Sequence, residues 1–204
     1  MFEILFSFAI ATFILAISPG PDNLFVLTQS VVNGKKFGLA TVLGLMTGCL
    51  LHTSFVAFGV SAIIEENESV FLMIKLFGVS YLLYLAFKVY QANANIVLSE
   101  AVKKNETVFK MYKKGLLMNV LNPKVTTFFI AFFPQFLFSE SVSTVLQFYI
   151  LGAIFIVISF LVFSTIAVLA GTISNYLTTS TNIGTYLKWG QIILFVLISI
   201  MILL

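Results

Sequence analysis

Long apolar runs fill most of this chain, and polar residues are confined to short intervals between them. A bilayer core about 30 Å thick is crossed by about 20 predominantly apolar residues in a helix. Six segments meet that requirement, at residues 4–27, 37–64, 70–90, 111–138, 142–173 and 186–204. The second and fifth are longer than a simple crossing needs, which implies tilt or extension into the interface. The pattern predicts an all-α integral membrane protein, a single transmembrane domain over residues 1–204 with six transmembrane helices.

Two of these segments carry a defect. The first contains ISPGPDN at residues 17–23, and the fourth contains Asn122-Pro123-Lys124. Pro19 and Pro21 lack backbone donors and clash with the preceding turn, as does Pro123. Gly20 permits unusual backbone. Asp22 and Lys124 place charge where charge is expensive. Helices 1 and 4 are therefore expected to be broken at their proline motifs. A broken helix exposes unpaired N–H and C=O groups, tolerated at membrane depth only where they line a polar cavity within protein.

The two defects occupy matching places in a repeat. Spans one to three and spans four to six share an order of weak matches: Pro21-Asp22 with Pro123-Lys124, Leu43-Gly44 with Leu151-Gly152, and Gly78 with Gly190, each of the last two near a lysine and an aromatic. An odd number of spans per copy inverts the second copy, giving two inverted three-helix repeats, an architecture of many secondary transporters. Repeat one covers about 1–92, a cytoplasmic linker about 93–110, and repeat two about 111–204.

On that reading the breaks form one site. Its candidate residues are Pro19, Gly20, Pro21, Asp22 and Asn23 from the first break, and Asn119, Asn122, Pro123 and Lys124 from the second. Freed N–H groups at a half-helix start suit a carboxylate, and freed carbonyls suit an ammonium group. Two roles stay open for Asp22 and Lys124. They pair with each other and hold the halves together, or they are separated by substrate, with Asp22 taking ammonium or a coupling proton and Lys124 taking carboxylate. Thr126 and Thr127 add hydroxyls nearby, whose simplest use is hydrogen bonding between helices. Gly44 and Gly48 form a G-x-x-x-G pair, read as packing of span two against a broken helix. Pro134 is read as a kink near the outer end of span four.

Composition narrows the class further. The chain is 60% hydrophobic and 9% charged, with a mean hydropathy of +1.08, whereas soluble domains carry roughly 25% charged residues. Its net charge of +3 comes from eleven lysines without an arginine, so the guanidinium fork for bidentate carboxylate recognition is missing. No basic patch interleaved with aromatics points to nucleic acid. Lysines orient the spans. Lys35 and Lys36 follow span one, and Lys103, Lys104, Lys110, Lys113 and Lys114 surround the linker. Glu65, Glu66 and Glu68 follow span two, and Glu140 follows span four. Both termini are therefore expected outside. The polar stretch 91–110 reads as a solvated linker. Lys75, Lys88 and Lys188 lie near span ends and snorkel, and Trp189 fits an interfacial anchor. The N-terminus has no basic region before its apolar run, and a cut after Ser18 would leave Pro19 beside the cleavage site, so it reads as a retained first span.

Cys49 and His52 are the lone cysteine and histidine. Two ligands do not close a metal site, so they read as small polar groups packed between helices, and neither a metal nor a cofactor is expected.

SPGPDNLFVLTQSVVNGKKFGLATVLGLMTG in the first half and KGLLMNVLNPKVTTFFIAFFPQFL in the second carry a resemblance. The chain resembles the LysE/RhtB family of amino-acid exporters over essentially its whole length. The resemblance implies a proton-driven six-helix exporter of small amphipathic metabolites in a bacterial cytoplasmic membrane. P-G-P-D-N with N-P-K, rather than the G-A-Q-N-like and N-P-H stretches of basic-amino-acid exporters, is similar to the branch handling neutral amino acids such as threonine, homoserine or leucine. The implied partners are a small-molecule substrate, protons and the lipid bilayer, with a homodimer left open. A divalent metal-ion exporter of a related family is the nearest alternative, supported only by Asp22, Cys49 and His52. A passive channel is a further one. An intramembrane serine protease would need G-x-S-G, but Ala62 and Tyr81 follow the two G-V-S triplets, so an enzyme is not expected.

Overall fold

The computed structural model describes residues 1–18, 20–62, 68–91, 107–173 and 183–203, and all regular structure among them is helical. The elements are α1 (Phe2–Ile17), α2 (Pro21–Asn33), α3 (Lys35–Phe55, continued by a π turn at Val56–Val60), α4 (Glu68–Gln91), α5 (Val108–Val120), α6 (Pro123–Thr127, continued by a π turn at Phe128–Phe132 and a 3₁₀ turn at Phe133–Phe136), α7 (Thr144–Val168) and α8 (Ile183–Leu203). Four of them, α3, α4, α7 and α8, are long and apolar enough to cross a membrane alone. Two bent pairs meet the same test when joined: α1 with α2, bent by 56°, and α5 with α6, bent by 49°. That makes six crossings if each bent pair is one span.

The bends fall where the prolines demand them. The Ser18 amide still donates to the Ile14 carbonyl at 3.0 Å, closing α1. Gly20 is extended, and Pro21 takes the first position of α2, where a missing N–H costs nothing. In the second pair Asn122 is extended ahead of Pro123, as the residue before a proline prefers. Gly34 ends α2 at φ +96, the left-handed region, and turns the chain into α3.

α3 is the best enclosed crossing, 56% buried against 22% for α4. It packs most extensively on α5, then on α7 and α2, while α4 pairs with α8 and α1 with α7. Apolar contact with lipid is as favourable as contact with Leu, so close packing holds such helices together. Small residues permit it. A Cβ at Gly44 would fall on the Tyr112 carbonyl and the Leu116 amide, and one at Gly115 on the Thr41 backbone. Gly48 faces the Asn119 side chain. The G-x-x-x-G pair thus packs span two against α5, the first arm of a broken span, as expected.

Phenylalanines fill the centre between α6, α7 and α1. Phe129 stacks on Phe133 at 4.1 Å and meets Phe155 edge-on at 4.9 Å, and Phe8 meets Phe133 at 5.0 Å. Pro134 stands in the 3₁₀ turn that ends this run. Beyond it, buried Gln147 fastens the connection to α7. Its Oε1 accepts from the Phe138 and Ser139 amides at 2.7 and 3.0 Å. Its Nε2 donates to the Ser139 and Val142 carbonyls, both at 2.7 Å.

Lys75 lies two turns inside α4 rather than at its end, with its ammonium 5.8 Å from the Phe71 ring. Lys88 lies in the last turn of α4, 5.5 Å from the Tyr84 ring. Trp189 is exposed and meets Tyr90 edge-on at 6.1 Å. Pro19, Glu65, Glu66, Lys103 and Lys104, with residues 93–106 of the linker expected at 93–110, lie outside the described residues.

Candidate functional site

The two breaks meet at one internal cavity. Gly20, Pro21, Asp22 and Asn23 line it from the first, and Asn119, Asn122 and Lys124 from the second. Seven of the nine residues expected at the site thus come together. Pro19 is outside the described residues, and Pro123 starts α6 with its ring exposed, away from the cavity lining.

Each break is tied by an asparagine. Asn23 Nδ2 donates to the Ala16 carbonyl at 2.8 Å, satisfying an acceptor freed at the end of α1. Asn122 does the equivalent at the second break: its Oδ1 accepts from the Lys124 amide at 3.0 Å and caps α6. Its Nδ2 donates to Asp22 Oδ2 at 3.1 Å, linking the two breaks. The Asn122 carbonyl accepts from both the amide and the hydroxyl of Thr126, at 3.0 and 3.2 Å, so that threonine serves its own helix.

Asn119, at the end of α5, is held by α3. Its carbonyl accepts from the Asn122 amide at 3.0 Å and from His52 Nε2 at 3.2 Å, which fixes the proton on that ring nitrogen. Its side chain bonds Cys49 Sγ, with Nδ2 to sulfur at 3.5 Å. Cys49 and His52 are therefore polar groups packed between helices, and His52 also stacks on Phe129 at 5.3 Å. Among the described residues no group of three or more His, Cys, Asp and Glu gathers to hold a metal ion.

The two charges are close but not joined. Asp22 is buried, 7% exposed, and its Oδ1 has no hydrogen-bond partner. Asp22 and Lys124 make no ion pair within 4.0 Å. The Lys124 ammonium instead lies over the Phe195 ring, 5.4 Å from its centroid, and 3.5 Å from where a Cβ at Gly20 would stand. That position is beside the N-terminus of α2, which no side chain caps. A side-chain acceptor thus covers the start of α6 but not that of α2, whose first turn carries the Asp22 carboxylate.

Leu15, Ala16, Cys49 and Val125 also line the cavity, as do three residues of α7, Phe155, Ser159 and Phe163, spaced by four so that they share one helix face. Sequence reasoning did not single out these three. Ser159 is an isolated hydroxyl in the apolar run 154–163, a visible signal, but periodicity on a helix apolar all round does not say which face meets protein. Phe195 under Lys124 had no signal at all.

Comparison with known proteins follows the same lines. The family model described as LysE type translocator matches residues 13–203. Relatives named homoserine/homoserine lactone efflux protein, from Salmonella typhimurium strain LT2 and Salmonella typhi, are each 28% identical over 176 residues. The match covers 86% of this chain and 84% of each relative. No solved structure matches the chain.

Proposed function

This chain belongs to the LysE type translocator family, and on that premise we propose that it exports small amino acids or their derivatives from the cytoplasm, binding them between the two helix breaks. The observation that carries the proposal is one cavity with Asp22 and Lys124 on its walls, opposite charges that are not joined in an ion pair. Asp22 Oδ1 is free for an ammonium group. The Lys124 ammonium and the uncapped start of α2 stand together for an oxyanion. A zwitterionic amino acid complements both. The printed names of the relatives fit the same head group: homoserine carries an ammonium and a carboxylate, and its lactone an ammonium and an ester carbonyl that accepts from lysine.

The same oxygen supplies a coupling rule. Asp22 Oδ1 has room for a proton or for the substrate ammonium, not both. Carrying one outward and the other inward makes proton antiport, with the carboxyl returning protonated after release. The contact pattern supports two inverted three-span repeats. Exchanging the halves converts the α3–α5 contact into α7–α1 and maps α3–α7 and α4–α8 onto themselves, and all four contacts are made. In this reading six spans cross the bacterial cytoplasmic membrane with both termini outside. The phenylalanine cluster then lies between the site and the outer connection at 137–143, and serves as the outer barrier.

The test loads expressing cells with dipeptides and follows efflux of each released amino acid with and without an uncoupler. Uncoupler-sensitive efflux of a neutral amino acid, absent from control cells, is expected. Equal efflux from expressing and control cells for every amino acid overturns the proposal.

A further inference from the structure

Hydroxyl side chains inside helices commonly donate to the carbonyl four residues back. Several hydroxyls of this chain follow the habit. Ser30 bonds Val26, Thr41 bonds Phe37, Thr53 bonds Cys49, Thr165 bonds Leu161 and Ser199 bonds Phe195, at 2.7 to 3.0 Å. Ser159 departs from it. Its side chain is 1% exposed, its Oγ has no hydrogen-bond partner, and it lines the cavity that holds Asp22 and Lys124. The other buried hydroxyls without partners, Thr12, Ser18, Ser61 and Ser164, do not line it.

The neighbours of Ser159 define what surrounds that hydroxyl. Phe155 and Phe163 lie one turn to either side on the same face of α7, and both line the cavity. The α7 wall is therefore two phenyl rings with one hydroxyl between them, and it carries no charge. A head group held by Asp22 and Lys124 leaves the substrate side chain to meet this wall. Two rings alone favour apolar side chains. A buried hydroxyl left unpaired is costly, and a substrate that pairs with it recovers that cost.

We infer that Ser159 is a specificity-determining residue, whose hydroxyl selects substrates bearing a small hydroxylated side chain over aliphatic isosteres. The inference rests on the proposed amino-acid site and adds the side-chain preference. Threonine and valine are the matched probes, since they differ by hydroxyl against methyl at equal size. A site that hydrogen-bonds a substrate hydroxyl rejects the analogue lacking it, whereas a purely apolar pocket separates the two weakly.

The experiment measures threonine and valine efflux from the same cells after dipeptide loading, for the wild type, Ser159→Ala, Ser159→Cys and Ser164→Ala. The wild type is expected to favour threonine, and Ser159→Ala to lower the threonine-to-valine ratio about threefold to tenfold, the worth of one neutral hydrogen bond. Ser164→Ala removes an unpartnered hydroxyl of the same helix away from the cavity and is expected to keep the wild-type ratio. Ser159→Cys preserves shape with a weak donor, and its ratio is expected to fall as well; it decides the matter if the alanine variant does not reach the membrane. An unchanged ratio in both Ser159 variants, or no preference in the wild type, overturns the inference. Asp22→Asn run alongside separates the two levels. If it exports both amino acids as the wild type does, the head-group reading fails, whatever the Ser159 ratio shows.

Discussion

Asn122 and Asp22 stand 100 residues apart in sequence and are joined by one hydrogen bond, Nδ2 to Oδ2 at 3.1 Å. The same carboxamide caps α6 through its oxygen. One side chain therefore terminates the second break and sets the position of the carboxylate at the first. The other carboxylate oxygen has no hydrogen-bond partner.

Changing Asn122 separates those two duties. Asn122→Asp keeps an oxygen for the cap but replaces the donor by a second carboxylate against Asp22. Asn122→Leu removes both, costing about 1 kcal/mol for the cap and leaving Asp22 Oδ2 unpaired. Both variants are expected to insert in the membrane and to lose efflux, by roughly tenfold or more if the lost bond to a charged group is worth about 1.5–3 kcal/mol. Near-wild-type efflux from Asn122→Asp at equal membrane level would show that the link between the breaks is dispensable.

Asp22→Asn and Lys124→Met each leave one charge of the cavity alone. Truncating one member of a desolvated charge pair costs about 2 kcal/mol or more. Each variant is therefore expected to lose counterflow of radiolabelled amino acid in proteoliposomes by roughly thirtyfold or more. Asp22→Asn should also lose its response to an imposed pH gradient. Retained counterflow with loss of only the gradient response would assign Asp22 to the proton alone. Lys124→Arg is not expected to rescue, because a planar guanidinium cannot occupy the point position of an ammonium beside Gly20.

Glycines on α3 and α8 offer a contrast. Gly44→Val would drive a side chain into the Tyr112 carbonyl and Leu116 amide of α5. Backbone cannot yield as a side-chain tip does, and a loss of about 3 kcal/mol or more is expected, with overpacking as the cause. Gly190 has open space around it, so Gly190→Ala should cost no stability and gain up to about 0.5–1 kcal/mol from helix propensity. Melting of the detergent-solubilised variants by intrinsic fluorescence separates the two, and equal melting would refute the tight α3–α5 contact.

Gln147→Leu removes four hydrogen bonds that tie residues 138–142 to α7. Two amides and two carbonyls lose a partner in a part-buried place. The expected cost is about 2–5 kcal/mol, less than the full sum because water reaches some of these groups. Thermal unfolding in detergent reads that cost. Faster proteolysis between Leu137 and Ser143 in intact outward-facing preparations would localise it, and unchanged cleavage would contradict the staple.

Sequence by itself determined the class of this protein and the places where its helices fail. Bilayer thickness sets span length, lipid forbids unpaired backbone, and proline cannot donate, so apolar runs and P-G-P or N-P steps announce crossings and breaks without reference to any neighbour. The candidate residues around Asp22 and Lys124 were legible for that reason. Tertiary structure decided what those residues touch. That Asn122, not Lys124, hydrogen-bonds Asp22 depends on the relative placement of α2 and α6, a matter of helix packing across 100 residues. That His52 and Cys49 serve Asn119 follows from the close approach that Gly44 and Gly48 give α3 and α5. That Ser159 faces the cavity follows from the rotation of α7, a helix apolar on every side. On such a helix the hydrophobic pattern has no direction, because lipid and protein core are equally good surroundings for its side chains, and only packing chooses the face that turns inward.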